Sequence, residues 1–240
     1  MKRLMPIFIV ILLSGCGILT AYAPNMLSMI VVAVMGVVVL LGIIYGLIPV
    51  LTFTQGLLTG QKSIQRASEA EEKSVWITAL QMDRFFRQKK MDQLFREYRD
   101  KVKQQRQNGQ IVSDLEDILN EDVLALYSWQ GVVAQIPGTL TGLGILGTFI
   151  GLLRGLRNIN FVTVEAALSS VQSILTGIDI AFYTSIAGVI LSILFNISNN
   201  ILRNTMDREM GIFLEVFHRV VLPTTQEQER YRSRRETRQI

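Results

Sequence analysis

The chain has 240 residues, 49% of them apolar and only 18% charged, with 24 Lys and Arg against 20 Asp and Glu. That mixture is too apolar for an ordinary soluble domain and describes a membrane protein. One cysteine excludes a disulfide framework, and one histidine, His218, without a cysteine partner excludes the common zinc sites; no catalytic residue, metal or cofactor is expected.

Leu4–Tyr22 and Met26–Phe53 carry no charged side chain. A helix needs roughly 20 such residues to cross the bilayer core, so both can span. Ala23-Pro24-Asn25 is a minimal turn between them, which gives an antiparallel hairpin whose backbone groups stay satisfied in lipid. Pro49 is placed to kink the second helix, and Leu47–Leu58 then carries it out to the polar block. Leu13-Ser14-Gly15-Cys16 also fits a bacterial lipoprotein cleavage signal, although the apolar continuation Gly17–Tyr22 favours an intact span.

Residues 60–130 balance 12 bases with 12 acids, which describes a solvated helical domain rather than a nucleic-acid patch. Met91, Leu94, Phe95, Tyr98 and Val102 recur at helical spacing. Asn108-Gly109 breaks that helix, and Ser113 followed by Glu116 reads as a capping box opening a new one through Leu115, Ile118, Leu119 and Val123. Pro137 is a candidate kink where this segment enters the next span.

Val132–Leu153 is uncharged, and Ala166–Ile201 contains one charge, Asp179. These are spans three and four, the last ~54 Å long if fully helical. After Asn204 the chain turns polar and Arg-rich. The expected architecture is an all-α integral membrane protein with four transmembrane helices near 4–22, 26–53, 132–156 and 166–201. It divides into a hairpin (1–59), a cytoplasmic helical domain (60–130), a core (131–203) and a basic cytoplasmic tail with a C-terminal helix (204–240). The Lys/Arg bias puts both termini on the cytoplasmic side of a bacterial inner membrane. The Arg230–Arg238 tail, interrupted by Glu236, reads as a solvated end rather than a lipid-binding patch.

Gly142-Leu143-Gly144-Ile145-Leu146-Gly147 matches the dinucleotide-binding fingerprint in letters only, because that fingerprint needs a strand before it and these glycines lie inside a span. In a membrane helix the relevant pattern is small-xxx-small. Thr141, Gly144, Thr148, Gly151 and Gly155 form one such stripe in the third span, and Gly177, Ala181, Thr184, Gly188 and Ser192 form another in the fourth. The stripes are either packing seams or the walls of a narrow passage in which hydroxyls coordinate an ion or order water. Asp179, costing ~2.5–3.5 kcal/mol at the bilayer centre, is either functional or simply wet near the outer interface. Five residues separate it from Thr184, about 140° round a helix, so the two cannot share a face.

Ile136-Pro137-Gly138 with Gly142–Gly151, and Ala181-Phe182-Tyr183-Thr184-Ser185-Ile186-Ala187-Gly188, resemble the third- and fourth-helix signatures of the MotA/TolQ/ExbB ion-channel family. The resemblance is specific over about 131–200 and architectural elsewhere. It implies that Thr148 and Thr184 line an ion path, with Ser185 beside it and Asp179 holding the place of an acid found in some members. It also implies a homopentamer around a dimer of a single-span MotB/ExbD-like partner that supplies the titrating aspartate. The transported ion is H+ or Na+, and its flow would drive rotation as in a stator. Two spans ahead of the cytoplasmic block are similar to MotA, while the wording of both signatures looks closer to the ZorA-like anti-phage branch than to flagellar MotA, although the 240 residues do not include that branch's long cytoplasmic tail; flagellar stator, defence motor and TolQ/ExbB-like energy transducer all stay open. A non-conducting oligomeric scaffold is the competing reading; a membrane enzyme has little support, since the spans lack a nucleophile–base pair.

Overall fold

A computed structural model describes residues 5–69, 84–108, 110, 112–157, 159–160 and 162–220. The Arg230–Arg238 tail, Gly109 and the 70–83 stretch lie outside them. Among the described residues the secondary structure is helical: α1 (Met5–Ala21), α2 (Met26–Gly42), a π-turn (Ile43–Leu47), α3 (Ile48–Glu69), α4 (Lys89–Gln107), a 3-10 turn (Leu115–Asp117), α5 (Glu121–Tyr127), α6 (Gln130–Val133), α7 (Ile136–Leu156) and α8 (Val164–Val220). Three helical stretches are long and apolar enough to cross a membrane: Met26–Arg66, Gln130–Leu156 and Val164–Arg219. The apolar stretch of α1, Pro6–Ala21, is shorter than these.

The chain forms two compact units. The first combines Met1–Ile48 with Ser128–Leu202 and the second Pro49–Tyr127 with Arg203–Ile240. In the first, α1 packs on α2 and α2 on α7. The buried line of α2 is Ser28, Val32, Met35, Val39 and Gly42, at alternating steps of four and three. Its other face exposes Met29, Ile30, Val34, Val37 and Leu41, the pattern of a helix apolar all round whose sides are distinguished by packing, not by polarity. Gly42 is closely packed: a Cβ there would stand 2.5 Å from both Ile136 and the Phe195 ring, so those side chains would have to shift. The Tyr183 hydroxyl donates to the Leu19 carbonyl, tying α8 to α1.

The kink expected at Pro49 takes a specific form. Proline has no N–H to offer the Tyr45 carbonyl, and the chain widens one turn earlier, where the Ile48 N–H donates to Ile43 O in a π-type bond. Pro137 does not kink a continuing helix. It sits in the first turn of α7, where its missing N–H is harmless, and the break precedes it at Ala134-Gln135.

In the second unit the α4 periodicity reads as expected, with Met91, Leu94, Phe95, Tyr98 and Val102 all buried. They meet Phe85 and Phe86 from the preceding turn, which is fixed by the Phe86 N–H donating to buried Asp92 at 2.8 Å. Phe85 stacks on Phe95 at 4.5 Å, Phe86 lies 5.2 Å from Phe213, and Tyr98 meets Phe217 edge-on at 5.9 Å. The α8 residues of this unit reach its core because Met206, Met210, Phe213 and Phe217 keep the helical spacing beyond the apolar span.

The capping box at Ser113 is corrected. Asp114 caps the 3-10 turn, its carboxylate accepting from the Glu116 N–H at 3.2 Å, while Ser113 is held by Gln105 through bonds of 2.6 and 2.9 Å. The helix through Val123 starts only at α5, where Asn120 Oδ1 accepts from the Val123 N–H. A short acidic run with an Asp adjacent to the Ser offers two competing caps, and the carboxylate is the stronger acceptor.

Burial, reinforced by Asp114 and Asp117, raises the Tyr98 phenol above its ordinary range. A raised folded-state pKa means the folded unit holds this proton more tightly than the unfolded chain. Its contribution is therefore complete below about pH 10, the ordinary tyrosine value, and is lost as pH climbs beyond it. Tyr98→Phe is expected to flatten the alkaline fall in stability. Unfolding midpoints measured on either side of pH 10 check this, and identical alkaline slopes in the parent and the variant would contradict it.

Candidate functional site

Both small-residue stripes lie in the first unit and face each other. Gly144, Gly147, Gly151 and Gly155 of α7 are buried against Gly177, Ala181, Thr184 and Gly188 of α8. A Cβ on Gly151 would stand 2.7 Å from Gly177 O and 2.8 Å from Ala181 N; on Gly177, 2.5 Å from Gly151 O; on Gly188, 2.7 Å from Leu140 O. The atoms met are main chain, so the two backbones touch over several turns and the stripes leave no passage between themselves within one chain.

The composition of the α7 stripe shifts accordingly. Thr141 and Thr148 sit half-buried on its rim, and the inner line runs through Gly147 instead. A Cβ on Gly147 would come 2.5 Å from Thr184 Oγ1, so this glycine makes room for the threonine hydroxyl. Its part was legible in the spacing 144, 147, 151, 155, which is as good a helical ridge as the one through the threonines. Gly142, the first letter of the dinucleotide-like match, faces open space. All three of its glycines are helical, as an accidental match requires.

Thr184 is fully buried. Its hydroxyl lies 2.9 Å from Ile180 O and 3.2 Å from Ala181 O. Thr148 reaches Gly144 O at 3.1 Å and, across the seam, the same Ala181 O at 3.2 Å. Two hydroxyls from different helices thus converge on one carbonyl. Each has a single proton to donate, so both oxygens keep acceptor lone pairs within an otherwise apolar interface. Ser192, next along the α8 stripe, donates across the seam to Pro137 O at 2.8 Å.

Ser185 is half-buried beside Thr184. Asp179 is exposed, turned away from the buried Thr184 as their spacing requires, and makes no ion pair among the described residues. The four ion-pathway candidates therefore separate: Thr148 and Thr184 share a carbonyl, Ser185 borders them, and Asp179 belongs to another face of α8. The faces turned outward from this pair are apolar, including Leu146, Phe149 and Leu153 on α7 and Phe182, Ile186 and Ile193 on α8.

This seam lies inside the stretch that matches a known family. Residues 12–205 match the family described as the anti-phage protein ZorA of the Zorya type I system, ZorA-like. Two curated relatives are each described as Zorya protein ZorA. The one from Escherichia coli strain Crooks is 45% identical over 60 residues, which are 25% of this chain and 10% of that protein. The one from Escherichia coli O139:H28 is 43% identical over 60 residues, 25% of this chain and 8% of that protein. The matched stretch is about a tenth of either relative's length.

Proposed function

The chain belongs to the ZorA-like family of Zorya type I anti-phage proteins, and from that premise we propose that it is the ion-conducting membrane subunit of a defence motor related to MotA, TolQ and ExbB. Four spans, α1 included, cross a bacterial inner membrane with both termini and the second unit in the cytoplasm. Five copies surround two copies of a single-span MotB/ExbD-like partner, whose aspartate takes up and releases H+ or Na+. One elementary charge falling through 100 mV releases ~2.3 kcal/mol, so a few ions per step suffice for mechanical work.

The observation that carries this reading is the convergence of Thr148 and Thr184 on the Ala181 carbonyl. Thr148 brings its hydroxyl to the rim of the seam, and the Ala181 carbonyl and the buried Thr184 hydroxyl behind it are further oxygen ligands for an ion path beside a central partner. Asp179, on its separate exposed face, would tune the approach of the cation rather than bind it at the threonines.

A second reading, a non-conducting scaffold, draws on the direct backbone contact of the stripes. Ion flux separates the two. In proteoliposomes containing this chain and its partner, Thr148→Val and Thr184→Val are each expected to cut flux at least tenfold while the oligomer elutes unchanged. Parental flux in both variants would favour the scaffold.

A further inference from the structure

Asp114 and Glu116 lie in the segment linking α4 to α5, and His218, the chain's lone histidine, sits near the end of α8. Folding of the second unit brings one ligand atom from each within 4.8 Å of the others. His218 Nε2 is 2.7 and 2.6 Å from the two Asp114 oxygens, a direct hydrogen bond that a cation entering between them would replace. We propose that Asp114, Glu116 and His218 form a binding site for a divalent cation of the zinc class, which pins the 112–117 segment to α8.

Charge and placement carry the proposal together. Asp114, Glu116 and the adjoining Asp117 put three carboxylates into one short segment, and Lys101, 3.6 Å from Asp117, answers only that one. The Glu116 carboxylate has no partner among the described residues. With His218 neutral two negative charges are left uncompensated, and with it protonated one is, so a divalent ion completes what the side chains do not.

Both sides of the site are held. Gln105 of α4 grips Ser113, the residue before Asp114, through its amide oxygen and nitrogen. Phe217, the residue before His218, is buried against Tyr98. Donors on pre-fixed elements bind without a large ordering cost. An imidazole with two carboxylates selects a borderline metal over calcium or magnesium, which favour all-oxygen shells. Three protein donors leave a fourth position for water, as in open zinc sites. Binding requires the unprotonated Nε2 lone pair, so a proton leaves any His218 that carries one. A lone histidine excludes cysteine–histidine ligand sets, whereas this site takes its other donors from carboxylates that only the fold brings near.

The test uses the full chain in detergent, free of any polyhistidine tag, stripped with chelator and titrated with zinc chloride by calorimetry. Saturable binding of one zinc per chain is expected. His218→Gln and Glu116→Gln should each weaken it at least tenfold, while Asp117→Asn, next to the site but outside the ligand set, should bind as the parent does. Glu116 is exposed, so its variant should keep the parent's helical circular dichroism even if His218→Gln does not. Absence of saturable binding, parental affinity in Glu116→Gln, or an equal loss in Asp117→Asn would each overturn the proposal, the last by reducing it to unspecific attraction.

Discussion

Gly151→Val is expected to lower the unfolding midpoint of the detergent-solubilised protein sharply, with a cost of about 3 kcal/mol or more. Overpacked cores usually lose about 1–3 kcal/mol because side chains can turn aside. Here the atoms in the way are Gly177 O and Ala181 N, and a backbone cannot adopt another rotamer. The helices must separate, and every close approach from Gly144 to Gly155 loosens with them. Gly177→Val, which meets Gly151 O and Gly155 Cα, should do the same. Gly211→Ala is the control: nothing lies within 4 Å of its added Cβ, and alanine in a helix interior is favoured over glycine by about 1 kcal/mol. A Gly151→Val midpoint equal to the parent's would mean that α7 and α8 do not touch backbone to backbone.

Phe213→Ala should be comparably damaging to the second unit, at about 3–5 kcal/mol. Phe213 is fully buried and its ring meets Phe85, Phe86 and Phe217. Truncation removes one side of all three contacts and leaves a void that stiff aromatic neighbours fill poorly. Ile212, adjacent in sequence but on the exposed side of α8, is the comparison, and Ile212→Ala is expected to change stability by no more than about 0.5 kcal/mol. Limited proteolysis of the second unit gives the readout: early cleavage in Phe213→Ala and none in Ile212→Ala. Equal resistance in both variants would remove the aromatic cluster from the list of what holds this unit together.

These two sites also mark what the sequence could and could not reveal. Apolar runs and period-3.6 spacing depend on neighbours along the chain, so the long apolar helices and the α4 face through Met91, Phe95 and Val102 were visible in advance. Which small residues meet across a seam depends on helix rotation, which spacing alone leaves open to one step; Thr148 and Gly147 both fitted a ridge, and only the packing put Gly147 inside. Competing local signals obscured the cap at Asp114, one residue from the better-known motif at Ser113. Pro49 announced a disturbance but not its form, because a missing N–H can be absorbed by a bend or by a wider turn. The grouping of His218 with Asp114 and Glu116 joins parts of the chain separated by more than a hundred positions, and nothing local encodes it.

Direct backbone contact further limits how α7 and α8 can move. Where side chains lie between two helices, small shear is absorbed as they change rotamer. Where Gly151 and Gly155 meet Gly177, and Gly144 meets Gly188, there is nothing to flip, and a displacement there would drive backbone onto backbone. The next alignment that again sets glycine opposite glycine lies one turn away, about 5.4 Å along the axis. Sliding within this pair is therefore notched, proceeding by whole-turn jumps or not at all, and a load applied to either helix is borne by both as by one stiff strut.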